Sequence, residues 1–228
     1  MPRRKQSRGT CTYCGQEMAK AGMTKHLPVC AKRQAVIAEA DAKPGATQSL
    51  YHLRVQDAWG GTFWLDLEMN GNAKLKELDK YLRAIWLECC GHLSKFTLGR
   101  GWGQREVAMN SRADQVFAPG VELTHIYDFG TTSETLITCV GERQGKPTTP
   151  HPIALMARNV QPEATCMECG QPATWLCMEC VYEDEKSGFL CDKHVQDHPH
   201  EDYGEPFPLV NSPRVGMCGY TGPAEPPY

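Results

Sequence analysis

The stretch SLYHLRVQDAWGGTFWLDLEM, residues 49–69, alternates apolar and polar side chains on either side of Gly60-Gly61. Runs of period two that flank a glycine pair are typical of half-buried strands joined by a turn. Leu50–Val55 and Phe63–Met69 are therefore predicted to be neighbouring strands.

Helical periodicity follows this pair of strands. From Ala73 to Cys90 the apolar side chains recur every three or four residues, with Lys and Glu opposite them, and Asn72 and Gly91 are suitable end residues. Shorter alternating runs then predict further strands at Lys95–Leu98, Glu106–Met109, Leu123–Tyr127, Thr135–Val140 and Ile153–Ala157. Strands around one long helix predict an α+β domain, with a small mixed sheet and one main amphipathic helix, flanked by small zinc-stabilised modules.

Composition divides the 228 residues into five segments. Residues 1–33 form a basic arm and a first Cys/His cluster. Residues 34–48 form a linker that begins as a short helical run and breaks at Pro44-Gly45. Residues 49–160 are the α+β domain. Residues 161–203 are rich in Cys and acids, and 204–228 form a Pro-rich tail that is predicted to be extended or disordered.

The ends of the chain carry opposite charges. Residues 1–33 hold eight Lys/Arg against the single acid Glu17, whereas residues 161–228 hold twelve Asp/Glu against three Lys/Arg. This asymmetry predicts different partners for the two ends.

Cysteine usage indicates metal binding. Eight of the twelve cysteines fall in Cys-x-x-Cys pairs or close Cys/His arrays. The basic N-terminus is not followed by an apolar segment, as a secretory signal would be, and no apolar run is long enough for a membrane helix. We therefore expect a cytoplasmic protein in a reducing compartment, with thiols that bind metal rather than form disulfides.

The first cluster has the spacing of a small zinc finger. A Cys-x-x-Cys pair followed by Gly15 suits a tight knuckle, and a His and a Cys with three residues between them complete a tetrahedron. The predicted ligands are Cys11, Cys14, His26 and Cys30. The alternative is a set of free thiols in a basic tail.

The second cluster offers eight donors within 35 residues, which is enough for two zinc ions. They are Cys166, Cys169, Cys177, Cys180, Cys191, His194, His198 and His200. The alternative is one four-cysteine ribbon from the first four cysteines. Asp197 or Asp202 could substitute for either of the last two histidines. Three zinc ions are therefore expected in the chain.

Neither cluster has the features of a catalytic zinc site, which usually keeps an open position and a nearby carboxylate base. The remaining cysteines, Cys89, Cys90, Cys139 and Cys218, have no partner at ligand spacing. Cys89 and Cys139 are predicted to be core residues.

Two resemblances extend this interpretation. The order of donors in residues 166–200 resembles the B-box class, which implies interleaved pairing: Cys166, Cys169, Cys191 and His194 at one ion, and Cys177, Cys180, His198 and His200 at the other. Tyr127-Asp128-Phe129-Gly130, with the preceding helix and the following strand, resembles the plasmid ORF-three-like family of insertion-element passenger proteins over Ser49 to Val160. The acids and Trp that usually follow this motif are replaced here by Thr131-Thr132-Ser133. The family resemblance implies an α+β fold and an association with mobile elements.

These features favour a non-catalytic zinc-binding adaptor. Its acidic C-terminal module would bind a protein, and its basic finger would bind the backbone of DNA or RNA through salt-dependent phosphate contacts. The candidate residues are Arg3, Arg4, Lys5, Arg8, Lys20, Lys25, Lys32 and Arg33. One alternative is an adaptor that binds only proteins. Another is an enzyme with a site in the middle domain around His92, His125, Asp128 and Glu134.

Overall fold

A computed structural model describes residues 7–199 and 202–228. Within these ranges the helices are α1 (Lys20–His26), α2 (Ala31–Ala42), α3 (Leu75–Leu82), α4 (Ala113–Val116) and α5 (Met178–Tyr182). The strands are β1 (Arg8–Cys11), β2 (Glu17–Ala19), β3 (Gln48–Asp57), β4 (Trp64–Asn70), β5 (Ser94–Leu98), β6 (Glu106–Val107), β7 (Glu122–Tyr127), β8 (Ser133–Gly145), β9 (Ile153–Asn159), β10 (Trp175–Leu176), β11 (Phe189–Leu190) and β12 (Phe207–Pro208).

The prediction of a small mixed sheet with one main amphipathic helix is wrong. In the part of the chain that the structure describes, nine strands form one sheet in the order β2-β1-β9-β4-β3-β8-β7-β5-β6, and each neighbouring pair is antiparallel. The predicted strands lie within or next to observed ones. The error arises because alternation reports which residues are extended, but not how many strands finally pair.

The predicted pair of strands forms the middle of this sheet. β3 pairs with β4 from Leu50↔Asn70 to Gln56↔Trp64. The Asp57 carboxylate closes the turn between them by accepting hydrogen bonds from the backbone N–H groups of Gly60, Gly61 and Phe63 at 2.7, 3.0 and 2.9 Å.

The predicted helix is interrupted. α3 begins at Leu75 and ends at Leu82, and residues Arg83–Leu87 continue as a π-helical turn, in which the Glu88 N–H bonds to the Arg83 carbonyl at 2.8 Å. Its apolar face covers one side of the sheet, where Leu78, Leu82 and Trp86 are buried against strand residues such as Leu53 and Leu67. After the turn Cys89 is only partly buried against this core, rather than within it as predicted, because the helical turn ends at Leu87, and Cys90 is exposed.

The N-terminal finger is part of the sheet. β1 pairs with β9 through Gly9↔Asn159, Thr10↔Arg158 and Cys11↔Ala157. The fully buried Trp64 side chain packs against the core of the finger with Met23 and Leu27. The residues that precede Pro44-Gly45 are helical, as part of α2. The finger is thus held by both backbone pairing and apolar burial.

Gly9 tests this docking. A Cβ at this position would lie 2.4 Å from the Arg158 carbonyl oxygen and 2.5 Å from the Trp64 ring. We expect Gly9→Ala to lower the free energy of unfolding by about 1–3 kcal/mol through overpacking. Gly103→Ala is the matched control, because a Cβ there meets no atom within 4 Å. Equal urea denaturation midpoints for the two variants would contradict this account of the finger.

The C-terminal residues form a small module and then return to the large sheet. β10, β11 and β12 make a three-stranded sheet in the order β11-β10-β12 within the described residues. Beyond it, Asn211 bonds to Asn159 of β9, and the Arg158 guanidinium donates to the carbonyls of Asn211 and Ala224, both at 2.7 Å. Within the described ranges, no helix has the length and apolarity that a membrane crossing requires.

Candidate metal centres

The finger brings its four predicted donors together. Cys11 ends β1, Cys14 lies in the following turn, His26 ends α1 and Cys30 immediately precedes α2. Their donor atoms all lie within 4.8 Å of one another, and Cys14 Sγ is 3.3 Å from His26 Nε2. Burial raises the pKa of the Cys11 thiol to about 11, which opposes a bare thiolate there and makes a compensating cation valuable.

The donors of the C-terminal module fall into two interleaved groups. Cys166, Cys169, Cys191 and His194 form one, with Cys169 Sγ 3.8 Å from Cys191 Sγ and His194 Nδ1 3.4 Å from Cys166 Sγ. Cys177, Cys180 and His198 form the other, with Cys180 Sγ 3.4 Å from His198 Nε2. His200, the fourth predicted donor, lies outside the described residues.

The backbone prepares two of these thiol pairs in the same way. The segments CTYCGQ, residues 11–16, and CMECGQ, residues 166–171, each close a knuckle in which the glycine N–H bonds to the carbonyl of the first cysteine at 2.9 and 2.8 Å. Both glycines have positive φ, 74° for Gly15 and 70° for Gly170, which favours glycine at these positions. Although burial opposes it, backbone hydrogen bonds in the second knuckle lower the pKa of Cys166 to about 6 and favour its thiolate.

The donor sets fit a zinc ion. A tetrahedral ion with Zn–S of about 2.3 Å and Zn–N of about 2.0–2.1 Å places its ligands roughly 3.5–3.8 Å apart. The quoted separations of 3.3–3.8 Å are close to this, far longer than the S–S bond of about 2.05 Å in a disulfide. Zinc bound by these Cys and His side chains would connect backbone segments that are distant in sequence. A catalytic zinc would in addition need a coordination position left open for water or substrate.

A fourth group was not foreseen from the sequence. Cys89, Cys90, His92 and Cys218 also bring their donor atoms within 4.8 Å of one another. The described residues thus contain four groups that could hold a metal, one more than the three ions expected. Spacing could not reveal this one because Cys218 is 128 residues from Cys90. Cys139, by contrast, is fully buried, as predicted for a core residue.

The basic residues of the finger have varied surroundings. Arg33 is buried and its guanidinium donates to Glu68 at 2.8 Å, and Lys20 donates to Gln56 Oε1 at 2.7 Å and to the Gly61 carbonyl at 3.0 Å. The exposed Arg8 pairs with Glu17 at 2.6 Å. Lys25 and Lys32 are exposed, and Arg3, Arg4 and Lys5 lie outside the described residues.

The four residues of the enzyme alternative do not share one pocket among the described residues. His125 is fully buried and bonds to Asp79 at 2.8 Å. His92 lies 3.4 Å from Asp128 at the fourth group. Glu134 instead lines a shallow cavity of about 280 Å³ with Asp57 and Met217. Asp128 also closes its own turn by accepting from Gly130 N–H at 2.9 Å.

Comparison with known proteins gives a weak structural likeness and no function. No family model and no curated protein matches the chain. A crystal structure of a protein of unknown function, MM3350 from Methanosarcina mazei Go1, is similar over 54% of this chain and 76% of its own length, with 17% identity and a TM-score of 0.42. The function is therefore argued from the metal centres and the surfaces around them.

Proposed function

We propose that this chain is a non-catalytic zinc-binding adaptor that uses its acidic C-terminal module to bind a basic segment of another protein. The observation that carries the proposal is the composition of the metal centres. Their donors are Cys and His that connect distant segments, as in structural zinc sites. Such sites stabilise small surfaces that would not fold alone.

A surface beside the second C-terminal metal group supports a protein partner. It consists of Tyr182, Glu183, Asp184, Glu185 and Tyr203, all exposed, and we call it the acidic tyrosine surface. The two tyrosine rings lie 5.6 Å apart, and the Tyr203 hydroxyl donates to Glu183 at 2.5 Å. Tyrosine supplies large contact area at low entropic cost, and the acids favour a Lys/Arg-rich partner.

A charge-neutral variant tests this surface. We expect Glu183→Gln/Asp184→Asn/Glu185→Gln to weaken binding of a Lys/Arg-rich peptide to the zinc-loaded chain about tenfold. Three partly screened charges at roughly 0.5 kcal/mol each amount to about 1.5 kcal/mol, and a tenfold change in affinity corresponds to about 1.4 kcal/mol. The affinity of the peptide for each variant is measured by fluorescence anisotropy at fixed ionic strength.

The matched control removes the same charge elsewhere. Glu39, Glu106 and Glu142 are exposed acids outside the C-terminal module, and Glu39→Gln/Glu106→Gln/Glu142→Gln should leave the affinity nearly unchanged. Equal weakening in both variants would show attraction by net charge alone and would sink the proposed surface.

Nucleic-acid binding by the finger is a second proposal. It is supported by the exposure of Lys25 and Lys32 on the two helices that flank the first metal centre. We expect retention of duplex DNA or RNA at low salt that falls steeply as salt rises. Lys25→Ala/Lys32→Ala should reduce the slope of log K against log salt by about two, whereas Lys43→Ala should not. An absence of binding at low salt would favour the adaptor that binds only proteins.

A further inference from the structure

We propose that Cys89, Cys90, His92 and Cys218 hold a fourth zinc ion, which fastens the C-terminal segment, residues 211–228, to the chain that follows the π-helical turn. The donor atoms form a compact set: Cys90 Sγ lies 3.7 Å from Cys89 Sγ, 3.8 Å from Cys218 Sγ and 3.0 Å from His92 Nε2, and His92 Nε2 lies 3.3 Å from Cys218 Sγ. These separations resemble those of the other three groups. Three thiols and an imidazole are a familiar zinc donor set.

A disulfide accounts for this cluster less well. The sulfur atoms are 3.7 and 3.8 Å apart, against about 2.05 Å for an S–S bond. Any one disulfide would use two sulfurs and leave the third thiol and His92 without a role. Cys90 and Cys218 are also exposed, whereas a thiol kept only for packing is usually buried.

A buried guanidinium donates to one thiol of the cluster. Three thiolates, one neutral imidazole and Zn²⁺ carry one net negative charge, and the fully buried Arg214 places its guanidinium 3.4 Å from Cys89 Sγ. The same guanidinium donates to the Thr131 carbonyl at 2.8 Å and to Asp128 at 2.6 Å, a carboxylate that also lies 3.4 Å from His92 Nε2. Hydrogen bonds that orient metal ligands are typical of zinc centres.

Arg214 and Cys218 belong to the same segment, so the site links separate parts of the chain. Cys89, Cys90 and His92 follow the π-helical turn that ends at Leu87. Cys218 belongs to a turn with positive φ at Gly216, Cys218 and Gly219. That turn also packs against the C-terminal module, because a Cβ on Gly216 would lie 2.4 Å from Met178 Sδ. The fourth ion would therefore hold the segment that lies between the large sheet and the metal module.

The test compares zinc content of full-length protein by native mass spectrometry after loading with zinc alone under anaerobic conditions. We expect Cys218→Ser to hold one ion fewer than the wild type. Two controls should hold as many zinc ions as the wild type. His92→Cys keeps four donors at the site, and Cys139→Ala removes a thiol outside the four groups. Hydrogen exchange in residues 211–228 should quicken at least tenfold in Cys218→Ser only.

Equal zinc content in the wild type and Cys218→Ser would overturn the inference, as would a Cys90–Cys218 disulfide in the anaerobic protein. The deciding quantity is the difference of one zinc ion between the wild type and Cys218→Ser, and not the total zinc content of either protein. If the proposed zinc-dependent adaptor function is wrong, the wild type should hold few zinc ions in total. Alternatively, the charge-neutral variant of the acidic tyrosine surface should bind the peptide as tightly as the wild type.

Discussion

Removal of zinc is expected to unfold residues 161–199 while the nine-stranded sheet stays folded. The buried apolar cluster of the C-terminal module comprises Cys177, Cys180 and Leu190, with three partly buried neighbours, and two of those three buried residues are themselves metal donors. So small a core cannot offset the conformational entropy of its residues, whereas structural zinc supplies about 10–16 kcal/mol of apparent binding free energy.

Hydrogen exchange before and after chelation measures this effect. Amides of residues 161–199 should lose essentially all protection, and amides of β3, β4 and β8 should keep theirs. Cys177→Ser should release one ion and reproduce the loss locally, with Cys139→Ala as the thiol-deletion control. Unchanged protection in the module at zero zinc content would refute a structural role for the metal.

Loss of the Glu68 carboxylate is expected to destabilise the sheet by about 3–5 kcal/mol, because it would leave the buried Arg33 and the partly buried Arg143 guanidinium without a counter-charge. Glu68 on β4 binds Arg33 of α2 at 2.8 Å and Arg143 of β8 through both carboxylate oxygens, at 2.7 and 2.9 Å. Its side chain is 4% exposed. This ion cluster joins the finger to two strands of the sheet.

The measurement is urea denaturation of Glu68→Gln followed by fluorescence. Glu17→Gln is the matched control, because it breaks the Arg8–Glu17 pair, whose side chains are 55% and 47% exposed. Exposed pairs contribute about 0–1 kcal/mol. Comparable losses in the two variants would show that burial of the Glu68 cluster adds nothing.

The sequence predicts local features of this fold well. The strands near Leu50–Val55 and Phe63–Met69 follow from side-chain alternation, which depends only on neighbouring residues. The full number of strands in the sheet does not follow from this alternation, because β1 is only four residues long and is too short to show a periodicity. The π-helical turn at Arg83–Leu87 was also missed, since the apolar pattern continues through it while its hydrogen bonds shift by one residue.

The metal donors likewise comprise some that the sequence predicts and others that depend on the tertiary fold. The finger and the C-terminal donors follow from Cys-x-x-Cys spacing, since a knuckle is a local structure. The repeated segment Cys-x-x-Cys-Gly-Gln was a further local signal for the two matching knuckles. The group at Cys89 and Cys218 depends on how the C-terminal segment returns to the sheet, and the internal partners of Lys20 and Arg33 depend on how the finger docks. Both are properties of the tertiary fold.

The pairing of β1 with β9 has a consequence for synthesis. Thr10 emerges from the ribosome 148 residues before its partner Arg158. All four donors of the first metal group have been synthesised once Cys30 is added to the chain. At that point β9, which pairs with the second edge of β1, has not yet been synthesised. Closing so long a loop is slow compared with local folding. We therefore expect metal capture by the finger thiols to precede the pairing of β1 with β9 during folding.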